Sequence, residues 1–242
     1  YAINELVRWK DARRRKPLIV EGARQVGKTW LVKDFACKHY DNIAYINFEE
    51  QIYLRNLFET DFDVTRIISA IGAAAHQNCI HGVTALKYFY ENASDYHIIA
   101  AGSLLGLELH RQASFPVGKV QFMTLHPMSF LEFLDAVGEQ ALAGFIAKHD
   151  WENIRLFGPK LKDLLKHYYY VGGMPEAVLA FSETHDWLEV RDIQNEILES
   201  YDRDFSKHAP EEIVPRIRQL WNSLPAQLSK ENKTRETYFF IN

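Results

Sequence analysis

The chain has 242 residues, a formal net charge of −4, and 47% hydrophobic and 25% charged residues. This is the composition of a soluble globular protein, and the acidic balance argues against a generally basic surface that coats nucleic acid. No apolar run approaches the roughly 20 residues that span a bilayer, so we expect no membrane contact.

The two cysteines, Cys37 and Cys79, form no paired motif, and no histidine lies at zinc-binding spacing from them. No signal peptide is visible either. We therefore expect a cytoplasmic protein with reduced thiols. The one metal that we expect is the Mg²⁺ that a nucleotide would bring.

A short basic run, Arg13 to Lys16, precedes the first predicted strand. It is a candidate contact to a nucleic-acid backbone or to another subunit. A solvated edge before a buried strand is the interpretation that we favour.

The segment from Gly22 to Thr29 matches the phosphate-binding pattern G-x-x-x-x-G-K-[ST]. The apolar run Pro17–Glu21 before it predicts a buried strand, and Trp30–Ala36 after it has apolar residues at helical spacing. A strand, a glycine-containing loop and a helix in this order are the context that the motif requires. The chain therefore binds a nucleoside triphosphate or descends from one that did.

The residue types of this loop explain its expected chemistry. Gly22 and Gly27 let the backbone curl so that its N–H groups point inward, next to the positive end of the following helix. Lys28 then supplies a charge for the β- and γ-phosphates, and the Thr29 hydroxyl can bind Mg²⁺. The backbone of four further residues completes the expected nest: Ala23, Arg24, Gln25 and Val26.

Beyond the loop, the first half of the chain alternates helices and strands. After a helix at about 28–40, the apolar spacing predicts strands at 43–48, 96–101 and 119–125, and helical segments near 54–58, 64–71 and 86–90. Such alternation predicts an α/β fold, a P-loop NTPase parallel sheet flanked by helices, with ligands at the carboxyl ends of the strands. The loop, Glu49, Glu50 and Ser103 all fall at those ends.

From Pro127 onward the pattern becomes helical. Ser129 to Glu132 form a capping box, another helix starts near Pro159, and a long helix carries apolar residues from Trp187 to Phe205. Gly172–Pro175 predicts a turn between helices. We expect two domains, a nucleotide-binding core at 1–126 and an all-helical lid at 127–242.

Adenine is the expected base, because the chain has no N-K-x-D motif of the kind that GTPases use. Asp135–Gly138 matches D-x-x-G, a second pattern considered for GTPases. It lies in the helical half of the chain, so we attribute the match to chance.

Hydrolysis also needs a carboxylate that holds Mg²⁺ and another that orients water. No four apolar residues followed by Asp-Glu occur between Ile71 and Tyr96. Glu49 and Glu50 are candidate substitutes, with strand-end solvation as the alternative. Ser103 is a candidate sensor of the γ-phosphate, with a plain helix cap as the alternative.

Several blocks in order along the chain resemble a prokaryotic AAA-family ATPase group with a C-terminal domain of unknown function. The blocks are Arg15–Thr29, Tyr45–Glu49, Ala100–Gly106, Phe115–Val120, Pro127–Phe130 and Gly172–Glu176. The resemblance implies an ATP-binding core with a helical lid, and relatives continue into a domain that resembles restriction-endonuclease-like folds.

The chain departs from this family at one strand, which normally ends in Asp-Glu-Ile-Gln. Here Ile80–Gly82 runs almost directly into the next helical pattern. We therefore expect an acidic strand between about Gly82 and Val83 in the native protein. We also expect that segments are missing after residue 233 and at both termini.

These observations lead to a Mg²⁺-dependent AAA-type ATPase that binds ATP and ADP, with Lys28 and Ser103 as catalytic candidates and Thr29 as the metal ligand. Arg111 and Lys119 are basic residues that could reach a phosphate across the core–lid junction or between subunits, or simply carry surface charge. The alternative is a nucleotide-dependent switch whose lid binds a protein partner or a second copy. A weaker alternative is a DNA-associated ATPase. Only the basic run Arg13 to Lys16 and the nuclease-like extension of relatives favour it.

Overall fold

A computed structural model describes residues 1–45, 63–74, 91, 95–102 and 118–229. Within these ranges the chain forms three strands, β1 (Leu18–Gly22), β2 (Ile99–Ala101) and β3 (Gln121–Leu125). The same ranges contain ten helices: α1 (Ala2–Lys10), α2 (Lys28–His39), α3 (Val64–Ala74), α4 (Phe130–Ala136), α5 (Gln140–Ala147), α6 (Trp151–Leu156), α7 (Gly158–Val171), α8 (Pro175–Thr184), α9 (Trp187–His208) and α10 (Val214–Leu228). The predicted segments at 54–58 and 86–90, and most of the strand at 43–48, lie outside the described residues.

The three strands form a parallel sheet in the order β2-β1-β3. Leu18 pairs with Ile99 on one side and with Gln121 on the other. Leu18, Ile19 and Val20 are almost fully buried, as expected for a central parallel strand, which reads as a continuous apolar run rather than an alternating one. The prediction of a parallel sheet flanked by helices and followed by a mostly helical region is confirmed.

One face of the sheet is covered by α1 and α2. Side chains two residues apart on a strand share a face, and Leu18 and Val20 accordingly pack in one cluster with Phe35 of α2 and with Leu6 and Trp9 of α1. Helix α1 had no counterpart among the predicted elements.

The basic run is divided by its contacts with α1. Arg13 and Arg14 are exposed. The Arg15 guanidinium donates a hydrogen bond to the Lys10 carbonyl oxygen at 2.7 Å and lies 5.9 Å from the centroid of the Trp9 ring. Part of the run therefore anchors α1 beside the start of β1.

An aromatic cluster lies at the amino-terminal edge of the sheet. The Tyr40 hydroxyl is hydrogen-bonded to His97 Nδ1 at 2.5 Å, and the His97 ring meets the rings of Tyr40 and Trp9 edge to face. Burial, followed by the charges of Arg15 and Lys10, lowers the pKa of His97 below its ordinary value of 6.5. The folded chain therefore favours the neutral imidazole.

The helical region begins with the predicted capping box, which the structure contains. The Ser129 side chain accepts a hydrogen bond from the Glu132 backbone N–H, and the Glu132 carboxylate accepts one from the Ser129 backbone N–H. Behind this cap, Phe133 is fully buried and packs on Phe181 of α8, with ring centroids 6.0 Å apart.

By their contacts, the described residues divide at Val190 into a unit of residues 1–190 and a unit from Arg191 onward. In the second unit Arg218 of α10 makes a two-pronged ion pair with Asp202 of α9, and Trp221 stacks on Tyr201 at 5.5 Å. The predicted domain boundary near residue 126 stays a prediction. None of the described helices is long and apolar enough to cross a membrane.

The lowered pKa of His97 predicts a loss of stability in acid. As the pH falls below about 6.5, the unfolded chain binds a proton at His97 before the folded chain does, so the free energy of unfolding decreases. We expect His97→Gln to remove this contribution, so that the wild-type chain loses more stability than the variant between pH 7.5 and pH 5. Urea denaturation at several pH values measures this. His126→Gln, at an exposed histidine, is the control, and parallel curves for wild type and His97→Gln would contradict the prediction.

Candidate functional site

The loop between β1 and α2 is tightly curled. Its backbone takes positive φ at Gly22 (143°), Gln25 (60°) and Gly27 (88°). Two of these residues are glycines, which take such angles at little steric cost, whereas at Gln25 the left-handed conformation costs about 1 kcal/mol. The predicted strand, loop and helix therefore follow one another as the motif requires, with β1 ending at Gly22 and α2 beginning at Lys28.

The amino-terminal end of α2 opens onto this loop. The helix has 12 residues, and its N-cap, Gly27, makes no side-chain cap hydrogen bond. The first N–H groups of a helix have no partner within the helix, and the helix dipole makes that end positive. This end is therefore suited to an anion.

Lys28, the first residue of α2, carries the central charge of the site. Lys28 is 8% exposed, and among the residues whose burial the structure describes it is the one polar or charged residue that is buried. Its ammonium group donates hydrogen bonds to the Gly22 carbonyl oxygen at 2.9 Å and to the Ala23 carbonyl oxygen at 2.6 Å. The lysine therefore folds back over the start of the loop.

The electrostatic surroundings of Lys28 favour an anionic ligand. Burial, followed by the charge of Arg24, lowers the pKa of Lys28 below 10.5. Among the described residues its hydrogen-bond partners are two uncharged carbonyl groups rather than a carboxylate. Because a buried charge is costly unless an opposite charge accompanies it, an anion in the loop would stabilise the ammonium form.

Thr29 is the next residue of α2, and its side chain is exposed. Its hydroxyl is a hard oxygen ligand of the type that Mg²⁺ accepts, usually together with substrate phosphates and water. Among the residues that the structure describes, no group of three or more His, Cys, Asp or Glu side chains could hold a metal ion. The assignment of Thr29 as a metal ligand stays a prediction.

The first glycine of the loop is held by the neighbouring strand. Gly22 pairs with Leu125 of β3, and a Cβ atom at Gly22 would lie 2.2 Å from the Leu125 carbonyl oxygen. One residue earlier, the Thr124 hydroxyl donates a hydrogen bond to the Glu21 carboxylate at 2.9 Å. The end of β3 therefore fixes the start of the loop.

A second neighbour of the loop was not predicted from the sequence. A Cβ atom at Gly27 would lie 3.6 Å from Cγ of Pro175, so the turn at 172–175 lies beside the loop as well as between two helices. The glycine and proline spacing predicted the turn itself. Nothing in that spacing indicates what the turn contacts.

Of the other candidates, Glu49, Glu50, Ser103 and Arg111 lie outside the described residues. So does the segment near residue 82 where an acidic strand was expected.

Lys119, the candidate for reaching a phosphate across the core–lid junction or between subunits, is among the described residues. It precedes β3 and forms an ion pair with Glu91 at 3.1 Å. Because β3 runs from Gln121 towards Leu125, beside Gly22, Lys119 lies at the opposite edge of the sheet from the loop.

Two family models match this chain. Residues 14–134, half of the chain, match an AAA domain, and residues 162–237 match a domain of unknown function, DUF8612. No curated protein matches the chain. The first match contains the whole loop and all three described strands, and the second lies within the helical region. The predicted resemblance to AAA-family proteins with a C-terminal domain of unknown function is thereby confirmed.

The close contact at Gly22 predicts a cost for any side chain there. We expect Gly22→Ala to lower the free energy of unfolding by about 1–3 kcal/mol more than Gly138→Ala, because the new methyl group would collide with the Leu125 carbonyl oxygen. Gly138 is a matched control, since it also has positive φ (85°) but nothing within 4 Å of the added Cβ atom. Urea denaturation of both variants measures the difference. Equal losses of stability would contradict the close contact between Gly22 and the Leu125 carbonyl oxygen.

Proposed function

We propose that this chain, which belongs to the AAA domain family, is a Mg²⁺-dependent ATPase that binds the phosphates of ATP in the loop from Gly22 to Thr29. The observation that carries the proposal is the buried Lys28 ammonium, which is held among carbonyl groups at the positive end of α2. Family membership supports nucleotide binding in general, and the site residues suggest how it is achieved.

In this proposal each part of the loop has its own role. The backbone N–H groups of residues 23–27, with those of the first turn of α2, donate hydrogen bonds to the phosphate oxygens. Lys28 places its charge at the β- and γ-phosphates, and the Thr29 hydroxyl binds Mg²⁺. The metal would supply a positive charge that offsets the charge on the transferred phosphoryl group.

The Lys28 ammonium would exchange its present partners for phosphate oxygens. Its two carbonyl acceptors, at Gly22 and Ala23, lie at the mouth of the same loop, so a small movement of the side chain suffices. A charge-assisted bond to phosphate is stronger than a bond to a neutral carbonyl, and it also removes the cost of burying an unpaired cation. This difference favours the bound arrangement.

Ser103 and the strand-end carboxylates complete the proposal. Strand β2 ends at Ala101, which pairs with Val20 of β1, two residues before Ser103 along the chain. That order supports Ser103 as a sensor of the γ-phosphate. Glu49 and Glu50 remain candidate substitutes for the carboxylates that hold Mg²⁺ and orient water, and ATP is proposed over GTP because the chain has no N-K-x-D motif.

A cytoplasmic location, and a protein partner or second copy bound through the helical region, follow from the same interpretation.

Replacement of the central lysine tests the proposal. We expect Lys28→Ala to weaken binding of a fluorescent ATP analogue by roughly 10- to 100-fold, because it removes charge-assisted hydrogen bonds to phosphate, and to abolish phosphate release. Lys38→Ala is a matched control on the same helix, where the lysine is 64% exposed and pairs with Asp34. We expect that variant to bind and hydrolyse ATP like the wild type.

Three outcomes separate the candidate functions. Phosphate release that depends on Lys28 supports the ATPase. Tight, Lys28-dependent binding without release would instead indicate the nucleotide-dependent switch. No binding by the folded wild-type chain, or equal binding by Lys28→Ala, would refute both. Added duplex DNA that neither binds nor changes turnover at low salt would exclude the DNA-associated ATPase.

A further inference from the structure

A large aromatic side chain lies exposed beside the phosphate loop. Trp30 is the third residue of α2, two residues after Lys28, and it is 69% exposed. Lys33, one turn further along the helix, places its ammonium group over the ring of Tyr45, 4.0 Å from the ring centroid. Single exposed apolar residues are common on protein surfaces. Trp30 differs from them in its position and in the surroundings of its ring.

The other four tryptophans of the chain each lie against a second ring. The pairs are Trp9 with His97, Trp151 with His149, Trp187 with Tyr170 and Trp221 with Tyr201, and their ring centroids are 5.0–5.9 Å apart. Within the described part of the chain, the Trp30 ring makes no such contact. Its indole is therefore available to a flat aromatic ligand.

The path of a nucleotide out of the loop would bring its base towards this ring. Leu31 and Val32 are buried and pack with the central strand, so the inner side of the first turn of α2 is closed. Thr29 and Trp30 are exposed on the outer side. With the β- and γ-phosphates at Lys28, the nucleoside leaves the loop on the solvent side, because a packed interior has no room for it. Trp30 is the aromatic side chain of that exposed turn.

Stacking would give the base a contact that the phosphate loop does not provide. An indole and a nucleobase are both flat aromatic systems, which attract each other most in an offset stack. Such stacking tolerates any base, because every base has a π-face. The hydrogen bonds of the loop, in contrast, reach phosphate oxygens that inorganic polyphosphate also carries. A stacking residue next to the loop therefore favours a nucleotide over a bare polyphosphate.

We propose that Trp30 is a binding residue for the nucleobase, and that the base of the bound nucleotide stacks on its ring. The stacking rests on the proposed function, since it requires that the loop from Gly22 to Thr29 holds the phosphates. It extends that function by giving the base a contact outside the loop and the site a preference for nucleotides over inorganic polyphosphate. Because stacking tolerates any base, Trp30 does not itself distinguish adenine from guanine.

Calorimetric titration of the full chain with Mg-ATP and with magnesium tripolyphosphate tests the stacking. We expect Trp30→Ala to weaken binding of Mg-ATP by about 5-fold or more, the loss expected for one stacked base, and to leave the affinity for tripolyphosphate unchanged. Trp30→Phe keeps an aromatic ring and should retain most of the affinity for ATP. Trp151→Ala is the matched control, because Trp151 is 65% exposed but lies in α6 of the helical region. It should bind both ligands like the wild type.

Tryptophan fluorescence reports the contact itself. We expect Mg-ATP to quench the fluorescence of the wild type more than tripolyphosphate does, because a base stacked on the Trp30 ring changes the surroundings of the indole. In Trp30→Phe this ATP-dependent difference should be lost, whereas it should persist in Trp151→Ala.

The readouts separate failure of the stacking from failure of the proposed function. If the wild type binds neither ATP nor tripolyphosphate, the proposed function fails and the stacking fails with it. If ATP binds through Lys28 and Trp30→Ala binds it as tightly as the wild type, the stacking alone is refuted. Equal losses of affinity for ATP and for tripolyphosphate in Trp30→Ala would show a merely structural role and also refute it. Equal fluorescence changes of the wild type with the two ligands would refute it without any variant.

Discussion

The burial of the Lys28 ammonium at the carboxyl end of β1 is the interaction on which the rest of the site depends. The lysine is 8% exposed and donates to two carbonyl oxygens of the loop that it closes. A cation is costly in such a place, and both its desolvation and the nearby Arg24 lower its pKa. The central strand, the curled loop and the first turn of α2 hold this charge at the positive end of the helix, a place that favours an anion.

The surrounding fold keeps this arrangement in place from three sides. Strand β3 packs its last residue, Leu125, against Gly22, and helices α1 and α2 cover one face of the sheet. A Cβ atom at Gly27 would lie 3.6 Å from Cγ of Pro175, so the first residue of α8 lies near the end of the loop. A loop with three positive φ angles, one of them at Gln25, is held by these contacts rather than by its own propensity. The same contacts connect the loop to the helical region.

The elements that the sequence predicted well are those with local signals. The strand, loop and helix at 17–40 follow from glycine spacing and apolar periodicity, and the Ser129–Glu132 cap follows from a four-residue pattern. Pro175 lies near Gly27 although the two residues are far apart in the sequence, and no local pattern of residues predicts that proximity. Lys119 was a candidate for reaching a phosphate, with plain surface charge as the alternative, and its ion pair with Glu91 at the edge opposite the loop agrees with the second interpretation. In a parallel sheet, a residue that precedes a strand lies at the edge opposite its carboxyl end.

The central claim is that the buried Lys28 ammonium binds the phosphates of a nucleotide. A titration of Lys28 itself tests this claim most directly. Carbon-13 NMR of the labelled lysine side chain can follow its pKa in the presence and absence of Mg-ADP, with Lys28→Arg to assign the signal. The account predicts a pKa below 10.5 for the protein alone and an upward shift when the nucleotide is added, since a neighbouring anion stabilises the charged form. An ordinary pKa that the nucleotide leaves unchanged would contradict it.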